Sequence, residues 1–326
     1  MQQAVRVLCA MVLAGVALQA ASQAYPSKPV RIVVNNAPGG SSDAVARILS
    51  PILAERLGKP IVVDNRPGGG DGRGNIGATV VANAAPDGHT LLIASVPIFY
   101  NLSTAPGLPP PYELGKDFAA ITRLITTPMA IAVNSDKLPV QSIKELLPLL
   151  KAGSGFAYGS GGKGSGMHLA GELFKQLSGI DITHVPYKGS GPSLNDLIAG
   201  QIPIVFIGLG SATPSIKSGR VRVLAVASAQ RSALAPEIPT GAESGLPGWE
   251  ALGSFGLFGP GGLPVAIVQR LNAEVTTALN RADIRERILA TRNEPAPMPP
   301  EDYARFLTTE MTRWGKMARD SGDTFN

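Results

Sequence analysis

The chain has 326 residues, with 29 Lys and Arg against 24 Asp and Glu, for a formal charge of +5. Its basic residues are scattered without a run of five or six, and it has only nine Phe, six Tyr and two Trp, which argues against the charged stripes and stacking platforms of a nucleic-acid binder. The single cysteine, Cys9, leaves no disulfide framework, so stability has to come from burial.

Residues 1–24 read as a secretory signal. Arg6 supplies the positive start, Leu8 to Leu18 an apolar stretch too short to span a bilayer, and Ser22-Gln23-Ala24 a small-residue cleavage site. Cys9 lacks the Leu-small-small-Cys arrangement of a lipid attachment site. Cleavage after Ala24 leaves 326 − 24 = 302 residues, a length suited to two domains with ample cores. No later segment approaches ~18 consecutive apolar residues, so an exported, unanchored protein is expected.

From Val30 onward, strand and helix signals alternate. Val30 to Val34 reads as a strand, and Val45, Ile48, Leu49, Leu53 and Leu57 trace a helix that stops at Gly58. Pro51, inside that helix, is expected to kink or break it. Ile61 to Val63, a helix over 76–84 and a strand Thr90 to Ala94 complete a βαβαβ pattern, hence a parallel sheet. Beyond a Pro-rich stretch at 106–111, residues 121–134 read as extended, and Ser142-x-x-Glu145 is a capping box for a helix ending near Lys151. The alternation then repeats: strands at 156–158, 182–185, 202–207 and 221–227, with helices at 167–177, 193–199 and 211–218 between them. A Pro/Gly-rich connector at 235–248 leads to an extended run, 252–258, and helices at 265–279, 283–290 and 302–319. The expected organisation is a discontinuous first domain, 25–124 with 253–326, and a second domain, 125–252. Two crossings, Ile121 to Ile131 and Trp249 to Phe258, join them.

Two strand–loop–helix junctions share an unusual chemistry. Asn35-Asn36-Ala37-Pro38-Gly39-Gly40-Ser41-Ser42-Asp43 follows the first strand, and Gly159-Ser160-Gly161-Gly162-Lys163-Gly164-Ser165-Gly166 follows the strand at 156–158. Loops without bulky side chains let backbone N–H groups approach a ligand, and the helix that follows aims its partially positive end at the same point. Two such cradles predict one acidic ligand gripped from both sides of a cleft at the carboxyl ends of the strands. The expected donors are the amides of Gly39, Gly40, Gly161 and Gly164 and the hydroxyls of Ser41, Ser42, Ser160 and Ser165. Ser95 ends a strand beside the same cleft, and Asp43 is expected to cap the first helix.

Gly159-x-Gly161-x-x-Gly164 also matches the dinucleotide fingerprint. An exported chain, the loop's late place in the sequence and Lys163 among the glycines count against a cofactor, and none is expected. Gly162-Lys163-Gly164 lacks the Ser or Thr that a P-loop requires after its Lys. There is no Gly-x-Ser-x-Gly and no His-Glu-x-x-His, and the three histidines, His89, His168 and His184, are far apart in sequence. His168 opens a helix where it can cap or line the site, His184 is expected to make a structural hydrogen bond, and His89 reads as a surface residue. No metal cluster is visible in the sequence.

These stretches, with Tyr25 to Val34, Asn65-Arg66-Pro67-Gly68, Gly74-Asn75-Ile76-Gly77-Ala78, Ala85-Pro86-Asp87-Gly88, His168 to Phe174 and His184 to Pro192, resemble the tripartite tricarboxylate transporter substrate-binding proteins, the TctC or Bug type, along essentially the whole chain after residue 24. The resemblance implies an α/β Venus flytrap of the type II periplasmic binding protein kind, with two Rossmann-like domains and two crossover strands. It also implies a periplasmic location and a carboxylate held by both loops. The chain departs from the family pattern at several points. Asn35-Asn36 stands where members usually have Pro-Phe, so Asn36 puts an amide where an aromatic wall is common. Phe206-Ile207-Gly208 stands where many have Phe-Asp-Asn, and Ile207 therefore argues against amino-acid ligands. Lys163 replaces an uncharged residue and suits a second carboxylate. Residues 68–74 are about three longer than usual, and 96–111 align poorly. The expected function is a monomeric receptor that closes on a small carboxylate and passes it to membrane permease subunits, without catalysis. The rivals are a flytrap sensor for a signalling partner and a secreted enzyme on acidic metabolites with His168 as base.

Overall fold

The structure is a computed structural model, and it describes residues 25–68, 76–99, 112–153, 155–216 and 219–321. Residues 1–24, which the sequence reads as a signal, the long part of the 68–74 loop with Gly74 and Asn75, and most of 96–111 lie outside the described residues.

β1 (Val30–Val34) pairs in parallel with β2 (Ile61–Asn65) on one side and β3 (Thr90–Ser95) on the other. Its five residues are Val, Arg, Ile, Val and Val, and four of them are buried, as in a strand covered on both faces. α1 (Ser41–Leu57) and α2 (Ile76–Ala82) connect these strands. α1 runs through Pro51 without the break that the sequence allowed there. Ser50 Oγ, next to the proline, donates to the Ala46 carbonyl at 2.6 Å. Gly58, at φ +68, closes the helix in the left-handed conformation that glycine adopts without strain.

β4 (Phe118–Asn134) is the spine of the molecule. Its first two-thirds pairs with antiparallel β9 (Leu252–Pro260), which in turn pairs with β3. Its last six residues pair instead with β7 (Ile204–Gly208) and β8 (Val221–Ala227). Pro128, which has no N–H to give a ladder, sits where β4 changes partners. On the far side, β7 continues in parallel to β5 (Ala157–Ser160) and β6 (Thr183–Pro186). A short β10 (Glu294–Pro295) also joins β4. The path β2-β1-β3-β9-β4-β7-β5-β6 is therefore mixed, with parallel outer parts and antiparallel strands at the centre.

The remaining helices are α3 (Ile143–Ala152), α4 (Gly166–Ser178), α5 (Ser190–Ile198), α6 (Leu209–Ile216), α7 (Val265–Asn280), α8 (Ala282–Ala290) and α9 (Pro300–Ser321). The capping box is formed: Ser142 Oγ accepts the Glu145 amide at 3.3 Å, and Glu145 reaches back to the Gln141 amide at 2.9 Å. One buried cluster runs from Val33 and Leu92 through Ile131 and Phe206 to Tyr303 and Trp314, so apolar packing is continuous along β4. Trp249, 1% exposed, anchors the connector by packing on Phe174 and Phe206 and donating to the Ala170 carbonyl at 2.9 Å. His89 is not a surface residue. Its Nε2 accepts the Ser27 amide at 3.2 Å and its ring meets Tyr25 edge-on, so it ties the segment at 25–27 onto the turn at Asp87.

Candidate functional site

Over the strand ends, the loop after β1 lies directly against the loop before α5. The Ala37 amide donates to the Lys188 carbonyl at 3.1 Å. A Cβ on Gly191 would stand 2.7 Å from the Pro38 carbonyl oxygen, and one on Gly40 would stand 2.6 Å from Ser190 Oγ. At Gly191 the contact is with backbone, so a side chain there would push the two loops apart, whereas at Gly40 the neighbour is a serine hydroxyl that would have to turn away.

Behind this contact lies a cavity of about 50 Å³. A water needs roughly 10–15 Å³ on this measure, so the space takes several water-sized groups. Its polar lining is Asn36 and the serines 41, 42, 95, 165, 190, 211 and 254. Pro97, Met129, Met167 and Phe255 form an apolar wall, and Gly161, Gly166, Gly208 and Gly253 complete it. Among the described residues, no lining side chain carries a charge.

Four helices begin at this wall. Ser41 and Ser42 open α1, Gly166 and Met167 open α4, Ser190 opens α5, and Ser211 lies in the first turn of α6, just after Gly208. The first N–H groups of a helix have no partner within it, and its positive end favours an anion. Three of the serines touch across the closed interface: Ser211 Oγ is 3.2 Å from Ser41 Oγ and 3.2 Å from Ser190 Oγ. The structure thus brings together the starts of two helices expected from sequence and two that were not. Asn36 Nδ2 donates to Asn35 Oδ1 at 3.1 Å and to Ser42 Oγ at 3.3 Å, and Asn65 donates to the Asn36 carbonyl at 3.1 Å. The amide therefore acts as a clamp on the first loop as well as a wall.

Of the residues singled out from sequence, Asn36, Ser41, Ser42, Ser95, Gly161 and Ser165 line the cavity. Gly39, Gly40, Ser160, Lys163, Gly164, His168 and Ile207 stand outside its lining. The Gly39 amide is engaged by Asp43 Oδ2 at 3.2 Å, and Arg47 holds the same carboxylate at 3.0 Å. Asp43 thus ties the loop to the first turn of α1 and does not cap the helix as expected, the N-cap being Gly40 without a side-chain bond. The Gly164 amide is engaged by His168 Nδ1 at 3.0 Å. Ser165 Oγ caps α4 by accepting the His168 amide at 3.2 Å. Ile207 is fully buried in β7, with Gly208 taking the place beside the cavity, and Lys163 is exposed. Sequence reasoning missed Ser190, Ser211, Ser254, Met129 and Phe255. Gly189-Ser190 and Gly208-Leu209-Gly210-Ser211 carry the same glycine–serine helix start as the first loop, a signal that was present and unread.

A buried polar layer supports the second loop. The His168 and His184 rings stack with centroids 3.8 Å apart, and Tyr158 stacks on His184 at 5.0 Å. His184 Nε2 meets Ser160 Oγ at 2.6 Å, and Ser160 Oγ also accepts the Gly162 amide at 3.1 Å. Tyr158 OH donates to Glu172 Oε1 at 2.6 Å, and Lys175 Nζ stands 3.3 Å from the same oxygen. Accepting the Gly164 N–H fixes Nδ1 of His168 as the unprotonated nitrogen. Burial, with the nearby charges of Lys175 and Lys163, pushes its pKa down to about 3. His168 is thus a neutral brace beneath the loop, 1% exposed.

An α/β sheet in two parts sharing a spine strand, with a cavity at the strand ends, is the two-domain type II periplasmic binding protein fold. Residues 45–322 match the family described as the tripartite tricarboxylate transporter family receptor, TctC, and the chain belongs to that family. Protein BugT of Bordetella pertussis is 34% identical over 312 residues, covering 95% of this chain and 94% of BugT. Among solved structures, R. palustris Rpa4515 with adipate has a TM-score of 0.85 at 33% identity, covering 91% of this chain and 98% of its own. MatC (Rpa3494) from Rhodopseudomonas palustris with bound malate has a TM-score of 0.82 at 31% identity, covering 90% and 100%. Family members are periplasmic solute-binding receptors, and among the described residues no helix is long and apolar enough to cross a membrane.

The brace carries a pH dependence. An unfolded histidine takes up a proton near pH 6.5, while folded His168 stays neutral down to about 3. Its stabilisation is therefore complete above pH 6.5 and is lost as pH falls toward 3. Denaturant midpoints should fall by the equivalent of roughly 2–3 kcal/mol between pH 6.5 and 4.5 from this group alone. A folded His168→Asn protein should show a visibly shallower decline over that window, whereas identical slopes would refute the assignment.

Proposed function

We propose that this chain is an extracytoplasmic receptor that captures a small organic acid in the cavity and delivers it to the membrane subunits of a tripartite tricarboxylate-type transporter. It would act as a monomer once residues 1–24 have been removed. The observation that carries the reading is the convergence of four helix N-termini and seven serine hydroxyls on a cavity without a charged side chain among the described residues. Such a wall offers donors to an anion and has no carboxylate to meet an ammonium group. Malate and adipate in the related structures are in keeping with this preference.

The magnitudes suffice. Each helix terminus contributes about 0.3–1 kcal/mol to an exposed anion and up to about 2 when partly buried. Charge-assisted hydrogen bonds from hydroxyls and amides are roughly twice as strong as neutral ones. Together they reach the range of the roughly −8 kcal/mol of a micromolar site. The enzymatic alternative loses its base, since His168 is buried behind the second loop, outside the cavity lining.

A thermal-shift screen of the protein against mono-, di- and tricarboxylates, aromatic acids, amino acids and neutral amides tests the reading. Non-amino carboxylates should raise the melting temperature, with about 2.7 kcal/mol of added stability at a hundred times the dissociation constant. Stabilisation by amino acids alone would contradict it.

Closure has its own test in Gly191→Ala. Alanine suits the first turn of a helix, but its Cβ would press on the Pro38 carbonyl across the cleft. The variant should fold with an unchanged melting temperature in the absence of solute and bind the best acid of the screen at least about tenfold more weakly, about 1.4 kcal/mol. Wild-type affinity would show that the contact between the two loops plays no part in capture.

A further inference from the structure

Ser254 stands apart from the other serines of the cavity. Like Ser95 it belongs to a strand, β9, and not to a helix start, and it is 4% exposed. Among the described residues its Oγ is buried with no hydrogen-bond partner, although it lines the cavity. A buried hydroxyl without a partner costs about 1–3 kcal/mol, so it is a costly group to keep unless something in the cavity bonds to it.

Its place in the sheet sets it away from the serine cluster of the helix starts. Ser254 pairs with Thr126 on β4, while Gly208, beside Ser41, is on β7 at the other edge of β4. Gly208 is opposite Met129, three residues along β4 from Thr126, so the two positions are about 9–10 Å apart across the sheet and about 10 Å apart along it, roughly 14 Å at the backbone. Between them stand Met129 and the Gly253 backbone, whose close approach is shown by the 2.4 Å that would separate a Cβ on Gly253 from Met129 Cε. The cavity thus has a donor-rich end at Ser41, Ser190 and Ser211, an apolar middle, and one unspent hydroxyl beyond it.

We infer that Ser254 is a specificity-determining residue that reads a second oxygen-bearing group, a hydroxyl or a second carboxylate, on the far end of a short aliphatic acid. The inference rests on the carboxylate reading proposed above and deepens it. The ligand class is a two-ended chain, its first carboxylate at the helix starts and its carbon chain along Met129.

The test compares wild type and Ser254→Ala by calorimetry with butyrate, 4-hydroxybutyrate, succinate, hexanoate and adipate. These probes share one carboxylate and differ in the far group and in length. Wild type should hold the two-ended members tighter than butyrate and hexanoate. Ser254→Ala should weaken the two-ended members about five- to twentyfold and leave butyrate and hexanoate unchanged. A larger loss for 4-hydroxybutyrate assigns the contact to a hydroxyl, and a larger loss for succinate or adipate assigns it to a carboxylate. Equal effects on all probes, or none, would overturn the role of Ser254 while leaving the carboxylate reading intact. If no probe binds wild type, the short aliphatic class and this inference with it are refuted, while the broader screen described above decides the carboxylate reading. The melting temperature without solute gives an independent check. Losing an unsatisfied hydroxyl should leave it equal or higher, and a marked drop in Ser254→Ala would make the residue structural and refute the inference.

Discussion

An anion taken out of water has to be compensated by the groups around it, and the way this cavity is built decides much of the rest of the chain. A buried Lys or Arg would compensate by charge, at a desolvation cost of its own. Here the compensation is distributed over helix starts and hydroxyls that are already fixed by the fold. Each is weak alone, so several have to meet at one point, which requires loops thin enough to converge. That requirement explains Gly191, where any Cβ would collide with the Pro38 carbonyl across the cleft, and suits Gly40, where a Cβ would displace the Ser190 hydroxyl. It also explains the small serines at the helix starts, whose hydroxyls add donors without adding bulk.

Convergence from two sides needs a frame that holds each side rigidly and still connects them. β4 provides it, pairing with β9 along one part and with β7 and β8 along the other, with Pro128 at the change of partners. The apolar cluster runs through this junction without interruption, so the first loop and the second are referred to the same spine. The stacked pair His168 and His184 does for the second loop what Asp43, Arg47 and Asn65 do for the first. Both sets of side chains hold the loop backbone by satisfying its amides and carbonyls. In consequence, the amides of Gly39 and Gly164 serve the loops themselves, and the helix starts are left to face the solute.

Much of this was legible in the sequence where the signal is local. The alternation of strands and helices, the two glycine-rich junctions and the capping box depend on neighbours a few residues apart, and the structure forms them. Pro51 does not break α1, in which Ile48, Leu49 and Leu53 on either side of it are buried. His89 misled because the segment that covers it, Tyr25 to Ser27, lies more than sixty residues away. The starts of α5 and α6 carried the same glycine–serine pattern as α1, yet nothing local tells which helix starts share a cleft. Ser254, Met129 and Phe255 were beyond reach, since a strand's alternation gives two faces without saying which one the cavity meets.

The central claim is that dipoles and hydroxyls, and no ionic side chain, hold the solute's charge. A crystal structure of the protein with its best-binding carboxylate tests it most directly. The account predicts carboxylate oxygens about 2.6–3.2 Å from amides at the start of α1 and from the hydroxyls of Ser190 or Ser211, with no Lys or Arg nitrogen within about 4 Å. A carboxylate carried by Lys163 or by any other cationic side chain would contradict it.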